Sequence, residues 1–473
     1  MKIAIIGAGS VRYALKLIGD LAKISDLSKS APLVVLMDIN QQRLEAAHIL
    51  AQQYLRELES PISIKSTKTL NEAVDGADYV INTVLAYPTT KDHDGFTSWE
   101  KMTRVAEKHG YYRGIDAQEF NMVSTYTYGL CSYYDMQAAL TIVKTMEIYS
   151  PKGILLQTGN PVFEITQLLN RESSVETIGF CHGYGGVHEV CKTLGLPFDT
   201  VDWQVAGVNH GIWLNRFRCN GQDAYQLVDE WIRTKLASWR STGPWDIQMS
   251  PAVMDMYQFY GLLPIGDTCR NGSWKYNYNL QTKKRWFGSY GSIDNEIERP
   301  KLHRGLRKAK EQLLRIAQEV RADSSIRITD KWPAIFSKDS LSGEQQILFI
   351  QGRETSVANR LVLNIPNRGT ISGVPDDVIV EIPVQVNRTG IHREVLEPEL
   401  PRRLVTMYLM PRILRMEWAL EAFVSRDRRV LEEILIRDSR TRSYKQVQKV
   451  LDAIFNLPFH EDLRDYFTLP SKP

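Results

Sequence analysis

The chemistry of this 473-residue chain concentrates in two short stretches, Cys181-His182-Gly183 and Val208-Asn209-His210-Gly211. Cys181 and His182 close an apolar run, Thr177-Ile178-Gly179-Phe180, as a strand closes when it delivers side chains to the edge of a sheet. His210 lies in a second apolar stretch, Trp203 to Leu214, with Asn209 beside it. A thiolate and an imidazole on two separate strand ends can grip a soft-to-borderline divalent ion and leave positions open for a substrate. A third group is Asp267, where the run Gly261-Leu-Leu-Pro-Ile-Gly ends; two glycines and a proline there suggest a carboxylate held on a rigid turn beside a pocket.

The start of the chain must position a second cofactor. Lys2 to Ile6 reads as a buried parallel strand, Gly7-Ala8-Gly9-Ser10 as the turn after it, Leu15 to Ile24 as an amphipathic helix, and Leu33 to Met37 as a second strand ending in Asp38. In such a β-α-β unit a pyrophosphate meets backbone N–H groups at a helix N-terminus. Gly7, Gly9, Ser10 and Val11 are the expected cradle, and Asp38 is placed to accept hydrogen bonds from a ribose diol. A carboxylate there also repels a 2′-phosphate, which favours NAD over NADP. The pattern departs from G-x-G-x-x-G at its third glycine position, where Arg12 stands.

Further elements follow in order. Gln41 to Glu57 reads as a helix, Ile62 to Ser66 as a short strand, and Tyr79 to Val84 as a core strand whose tip, Asn82-Thr83, should pass near the nicotinamide ribose. Pro88 to Trp99 reads as a polar, irregular, mobile loop over the site. From Gly110 onward Arg113, Asp116, Glu119 and Asn121 crowd among aromatic residues and read as a pocket wall. Ile154 to Gly159 is another core strand, and Pro161 stops it so that the Asn160 amide is presented at the strand's C-terminal end, where open α/β sheets bind ligands. Beyond Cys191 the alternation gives way: Asp202 to Arg218 reads as a long strand or strand pair, Arg304 to Ala322 as a charged helix, and 323–342 as a looser stretch. Leu361 to Ile365 and Val378 to Val384 read as strands, and helices fill the end of the chain.

Composition bounds these readings. At 473 residues the expected fold class is α/β: a Rossmann-type NAD-binding sheet over 1–195, with an intimately packed α+β domain over 196–473 for substrate, metal and oligomerisation. A net charge of +3 with no basic run argues against nucleic acid as a partner. No apolar run reaches membrane-spanning length, the first residues have no signal-peptide architecture, and five scattered cysteines read as reduced thiols of a cytoplasmic protein.

Taken together, the motifs resemble the NAD- and metal-dependent glycoside hydrolases of family 4. The carrying segments are GAGSV at 7–11, YYRGIDAQEFNMVS at 111–124, GNP at 159–161, GFCHG at 179–183, VDWQVAGVNHGIWLNRF at 201–217, MDMYQFYG at 254–261, PIGDT at 264–268, VNRTGIH at 386–392 and MPRILRMEWALEAF at 410–423. These enzymes stand apart from two-carboxylate glycoside hydrolysis. The resemblance implies that bound NAD takes a hydride from C3 of the sugar, that the ketone acidifies the C2 proton, and that a metal holding the C2 and C3 oxygens stabilises the enediolate. Elimination of the glycosidic oxygen, addition of water and return of the hydride complete a cycle with no net redox. By the same resemblance Cys181 and His210 match the metal ligands, with Mn²⁺ the expected ion. Asp267 matches the proton acceptor, His182 the proton donor, and Asn160 a sugar-hydroxyl contact. A homodimer or homotetramer is likewise implied.

The neutral-sugar α-glucosidases of the family that this chain resembles carry an acidic residue after their NMVS run; here Thr125 follows Ser124. Removing a carboxylate suits a substrate with its own negative charge at C6. Arg12, Arg113, Arg270 or Lys275 could hold that charge, and the expected activity is an α-glucuronidase, with α-galacturonidase next and α-glucosidase after it. A simple NAD-dependent hydroxy-acid dehydrogenase shares the first domain without explaining Cys181 and His210. A non-catalytic NAD-binding protein is the third class.

Overall fold

The computed structural model describes residues 1–86, 95–113, 133–270 and 274–467. Its first half is built on apolar runs that form a sheet interior, with the polar strand Ser63–Thr67 at the edge. Strands β1 (Lys2–Ile6), β2 (Leu33–Met37), β3 (Ser63–Thr67), β4 (Tyr79–Asn82), β5 (Ile154–Gln157) and β6 (Thr177–Phe180) pair in parallel. All four residues of β4, β5 and β6 are buried, as expected of parallel strands covered on both faces. Helices Arg12–Lys23, Gln41–Glu57, Tyr133–Tyr149 and Val162–Glu172 make crossover connections. Asn40 caps the second of these by accepting from the Arg43 N–H at 3.0 Å.

The second half continues the same sheet with antiparallel strands: β7 (Val201–Val208), β8 (Gly211–Cys219), β9 (Gln222–Asp223), β10 (Leu263–Ile265), β11 (Asn359–Pro366), β12 (Ile379–Asn387) and β13 (Gly390–Arg393). The order is β10-β8-β7-β12-β11-β6-β5-β4-β1-β2-β3, with β13 on β12 and β9 on β8. The seam lies at β6, where Phe180 and Gly179 pair with Leu363 and Asn364 of β11. Gly179 is needed there, because a Cβ would come within 2.8 Å of Asn364 and Val162.

The stretch 202–218 resolves into a hairpin, β7 and β8, with Val208 opposite Gly211 and Asn209-His210 at the turn. His210 holds φ 57°, in the left-handed region that asparagine and histidine tolerate better than branched residues. The expectation of an irregular 88–99 needs correction over its second part. Residues 87–94 lie outside the described residues, but Gly95–Lys108 is a helix that buries Ser98, Trp99, Met102, Thr103 and Ala106. Its apolar positions recur at helical spacing and pack inward, and Phe96 stacks on His303 at 4.6 Å. The region 323–342 holds a short helix, Ile328–Lys331, and a polar segment then leads into helix Gln346–Glu354. No helix among the described residues is long and apolar enough to cross a membrane.

Candidate active site

The first turn is shaped by close approach. Gly7 sits at φ 85°, its N–H donating to the Met37 carbonyl at 2.9 Å, with Thr83 and Val84 where a side chain would go. Gly9 leaves room for Asp38, whose carboxylate would collide with any Cβ there. Asp38 Oδ2 accepts the Gly9 N–H at 2.8 Å and Oδ1 accepts the Asn40 N–H at 2.8 Å, while Arg43 stands 3.6 Å away. The carboxylate is buried and ordered, and each oxygen keeps a further lone pair for a ribose hydroxyl. Val11 is buried with φ 38° where the turn enters its helix, an unusual conformation for a branched residue. A turn with no space for side chains and a poised carboxylate fits NAD. Asp38→Ala is expected to raise the dissociation constant for NAD about tenfold or more, the loss of a hydrogen bond to a charged acceptor. Titration calorimetry reads it, and unchanged affinity would place the ribose contact elsewhere.

Asn82 and Thr83 divide in role. Asn82 is buried, donating to Gln157 Oε1 at 2.8 Å and accepting from the Val84 N–H at 3.0 Å, so its amide ties two strand ends together. Thr83 lines a cavity of about 330 Å³. The cavity is lined by Ser10, Thr83, Asn160, Cys181 and His182 from the parallel half and by His210, Asp267 and Arg270 from the antiparallel half. Four parallel strand ends, those of β1, β4, β5 and β6, therefore meet residues of the antiparallel half around one space. The Asn160–Pro161 peptide bond is cis.

The turn Gly266–Arg270, which carries Asp267, is anchored to the β7–β8 hairpin. Thr268 accepts from the Ile212 N–H at 2.8 Å, two residues after His210. Gly266, at φ 61°, rests against the Gly183 backbone, so the loop after β6 and the Asp267 turn touch without side chains between them. Gln345 donates to the Cys181 carbonyl at 3.0 Å and to the Val362 carbonyl at 2.9 Å, tying that loop to β11.

Electrostatics set the charge states. Burial pushes the Cys181 thiol well up, the negative charges of Glu381 and Asp267 add to that, and hydrogen bonds from Gly183 and Asn209 oppose it. Burial lowers His210 to about 4 against the pull of Asp267, whose Oδ2 lies 3.0 Å from Nε2, so the imidazole is neutral at physiological pH. Burial would raise Asp267, but Arg270, His210 and His182 outweigh it and hold the carboxylate at about 2. Glu381, wholly buried in β12, is raised to about 7 by burial while it accepts from Asn209 at 2.8 Å. A neutral imidazole and a thiol that a bound cation would deprotonate suit a divalent metal with substrate oxygens completing its shell. Among the described residues no three or more His, Cys, Asp or Glu are grouped to hold an ion, and Cys181 and His210 both line the cavity.

Arg270 is buried against Asp267, lies 3.5 Å from Asp294 and has its guanidinium 4.9 Å from the Trp245 ring centre. Arg299 shares Asp294, and buried Lys283, drawn down to about 8 by burial, feels Asp294 as well as Arg113, Arg270 and Arg299. Asp294 thus faces three cations, Arg270, Arg299 and Lys283. Arg113 itself pairs with Glu107 at 3.1 Å and lies outside the cavity lining. Arg12 and Lys275 are exposed, the latter bound to Asp255 at 2.6 Å. Asp116, Glu119, Asn121 and Thr125 lie outside the described residues.

Several lining residues belong to none of the sequence motifs. Tyr13 hydrogen-bonds Glu344 at 3.0 Å, Glu344 lies 3.9 Å from His182, and Gln346 joins Tyr13 to Thr158, both at 3.0 Å. The polar triplet Glu344-Gln345-Gln346 ahead of an apolar helix was a usable sign, and so was Glu381 alone in the apolar run Ile379 to Val384.

Comparison with known proteins follows the two halves. Residues 2–196 match the description Family 4 glycosyl hydrolase, and residues 205–441 match Family 4 glycosyl hydrolase C-terminal domain. An α-galactosidase of Bacillus subtilis is 22% identical over 468 residues, covering 96% of this chain and 97% of that protein. An α-galacturonidase of Thermoanaerobacter italicus is 22% identical over 487 residues, covering 96% of each. The structure of a 6-phospho-beta glucosidase from Thermotoga maritima with manganese, NAD+ and glucose-6-phosphate superposes with a TM-score of 0.72 at 19% identity, covering 99% of this chain and 100% of that one. Matched in both halves of its sequence and along the whole of its sheet, the chain belongs to glycosyl hydrolase family 4.

Proposed function

We propose that this family 4 enzyme is an NAD- and Mn²⁺-dependent α-glycosidase that cleaves uronic-acid glycosides, α-glucuronides first. The observation that carries the uronate is Arg270. It is the one residue of Arg12, Arg113, Arg270 and Lys275 in the cavity lining; its buried Nε has no hydrogen-bond partner among the described residues, and its Nη1 has only the Asp294 carboxylate, 3.5 Å away. With Lys283 and Arg299 buried behind it around Asp294, a substrate carboxylate brings balancing charge and a planar partner for the guanidinium.

When bound, NAD and the metal supply hydride transfer at C3 and Lewis-acid polarisation of the C2 and C3 oxygens. Asp38 and the glycine turn hold the dinucleotide, and Cys181 with His210 holds the ion. Asp267 takes the C2 proton at a carboxylate oxygen. His182, exposed to the cavity, gives a proton to the departing glycosidic oxygen. Asn160 orients a sugar hydroxyl.

The α-galacturonide is the second reading, favoured by the name of the Thermoanaerobacter italicus relative. The α-glucoside follows it. The test is release of p-nitrophenol from α-glucuronide, α-galacturonide and α-glucoside, with NAD, Mn²⁺ and thiol present or each omitted. Release from a uronide that needs all three additions is the expected result. Release from the glucoside alone would remove the role of Arg270, and accumulation of NADH with small hydroxy acids would mean a dehydrogenase.

A further inference from the structure

Trp245 lines the cavity yet is 49% exposed, an unusual state for the largest apolar side chain. The Arg270 guanidinium occupies one side of its ring at 4.9 Å. The backbone that carries the indole is held firmly all the same. Asp246 accepts from the Thr242 N–H at 2.8 Å and from the Thr242 hydroxyl at 2.9 Å, and its own N–H donates to the Gly243 carbonyl at 3.2 Å. This closes a tight turn around Gly243-Pro244-Trp245. Three residues on, Gln248 is buried; it donates to the Pro264 carbonyl at 2.8 Å and accepts from the Gly266 N–H at 2.9 Å. The strand and turn that present Asp267 and Arg270 therefore also brace the segment that presents Trp245.

We propose that Trp245 is the stacking platform for the leaving group of the glycoside, a second pyranose or an aryl ring. A pyranose has a polar rim and an apolar C–H face, and an indole offers a flat apolar face that costs little conformational entropy to present. The sugar that reacts must reach Cys181 and His210. Trp245 is half exposed whereas His210 is buried, so the ring lies nearer solvent than the centre the reacting sugar must reach, as a contact for the departing group would. The proposal rests on reading this cavity as a glycosidase site, and it is independent of which glycone is preferred.

The test compares methyl, p-nitrophenyl and disaccharide α-glycosides of whichever glycone the holoenzyme turns over, in the parent, W245A and W245F. W245A is expected to raise KM for the aryl glycoside and the disaccharide about tenfold, the scale of one lost aromatic contact. KM for the methyl glycoside should stay within about twofold, and W245F should recover most of the loss. An equal rise for the methyl glycoside would put the ring on the glycone and overturn the proposal. So would unchanged KM throughout, or a fall in kcat on all three substrates with KM held. NAD affinity of W245A checks folding. Quenching of indole fluorescence by the disaccharide but not the methyl glycoside, lost in W245F, reads the same contact without turnover. A parent that ignores uronides but splits glucosides would sink the uronate reading and leave this comparison intact.

Discussion

Cys181→Ser is expected to lower kcat at least about a thousandfold while NAD affinity stays within about twofold, since a Lewis acid contributes several kcal/mol to such a transition state. The separation follows from where the groups sit. Asp38, Gly7 and Gly9 close the dinucleotide turn through contacts among β1, β2 and β4. Cys181 follows β6, and the side chains facing it are Asn209, Glu381 and Asp267. A hydroxyl is a harder and more weakly ligating donor than a thiolate, and burial among those carboxylates keeps it protonated. Titration of the variant with Mn²⁺, followed by electron paramagnetic resonance, should show lost binding. Loss of NAD binding in the same protein would mean that the sulfur supports the nucleotide site instead.

Asp267→Asn is the second large effect: a fall in kcat of about two to four powers of ten, the usual contribution of a positioned acid or base. An amide cannot accept the proton, yet it can still receive a hydrogen bond from Arg270, so the turn should stay folded. In deuterated water the parent is expected to incorporate solvent deuterium at C2 of the product, and the variant should not. Full retention of exchange would assign the proton to another group. With Arg270 and His210 beside it, the carboxylate is charged from about pH 2 upward, so its protonation does not set the acid side of the rate profile.

The first β-α-β unit was legible because each strand is an unbroken apolar run stopped by a residue with a clear meaning: Gly7 after β1, Asp38 after β2. Cys181 and Asp267 were legible for the same reason, each ending a run. His210 was visible as a residue type, but its place on a hairpin turn with a positive φ was not, since one continuous apolar stretch covers both strands. The helix Gly95–Lys108 was hidden by the polar residues ahead of it, which set the reading before Trp99 and Met102 could establish a helical period. Glu344 and Gln345 leave a local trace only as a polar triplet ahead of an apolar helix, and Trp245, which reaches the cavity through distant contacts, leaves none. Arg113, a basic residue among aromatics that suggested a pocket wall, pairs with Glu107, and the stretch after it lies outside the described residues.

The seam at β6 has a consequence for how the protein is made. Parallel strands β1 to β6 are complete once the ribosome passes Phe180, but the outer edge of β6 has no hydrogen-bonded neighbour until Asn359–Pro366 emerges. Through that interval the nascent chain carries an apolar strand with open backbone donors and acceptors, the kind of edge that recruits other chains. A fragment ending near residue 195 carries the same open edge permanently. Expressed alone, it should aggregate or require a chaperone, and adding the missing half in trans should rescue it by supplying β11.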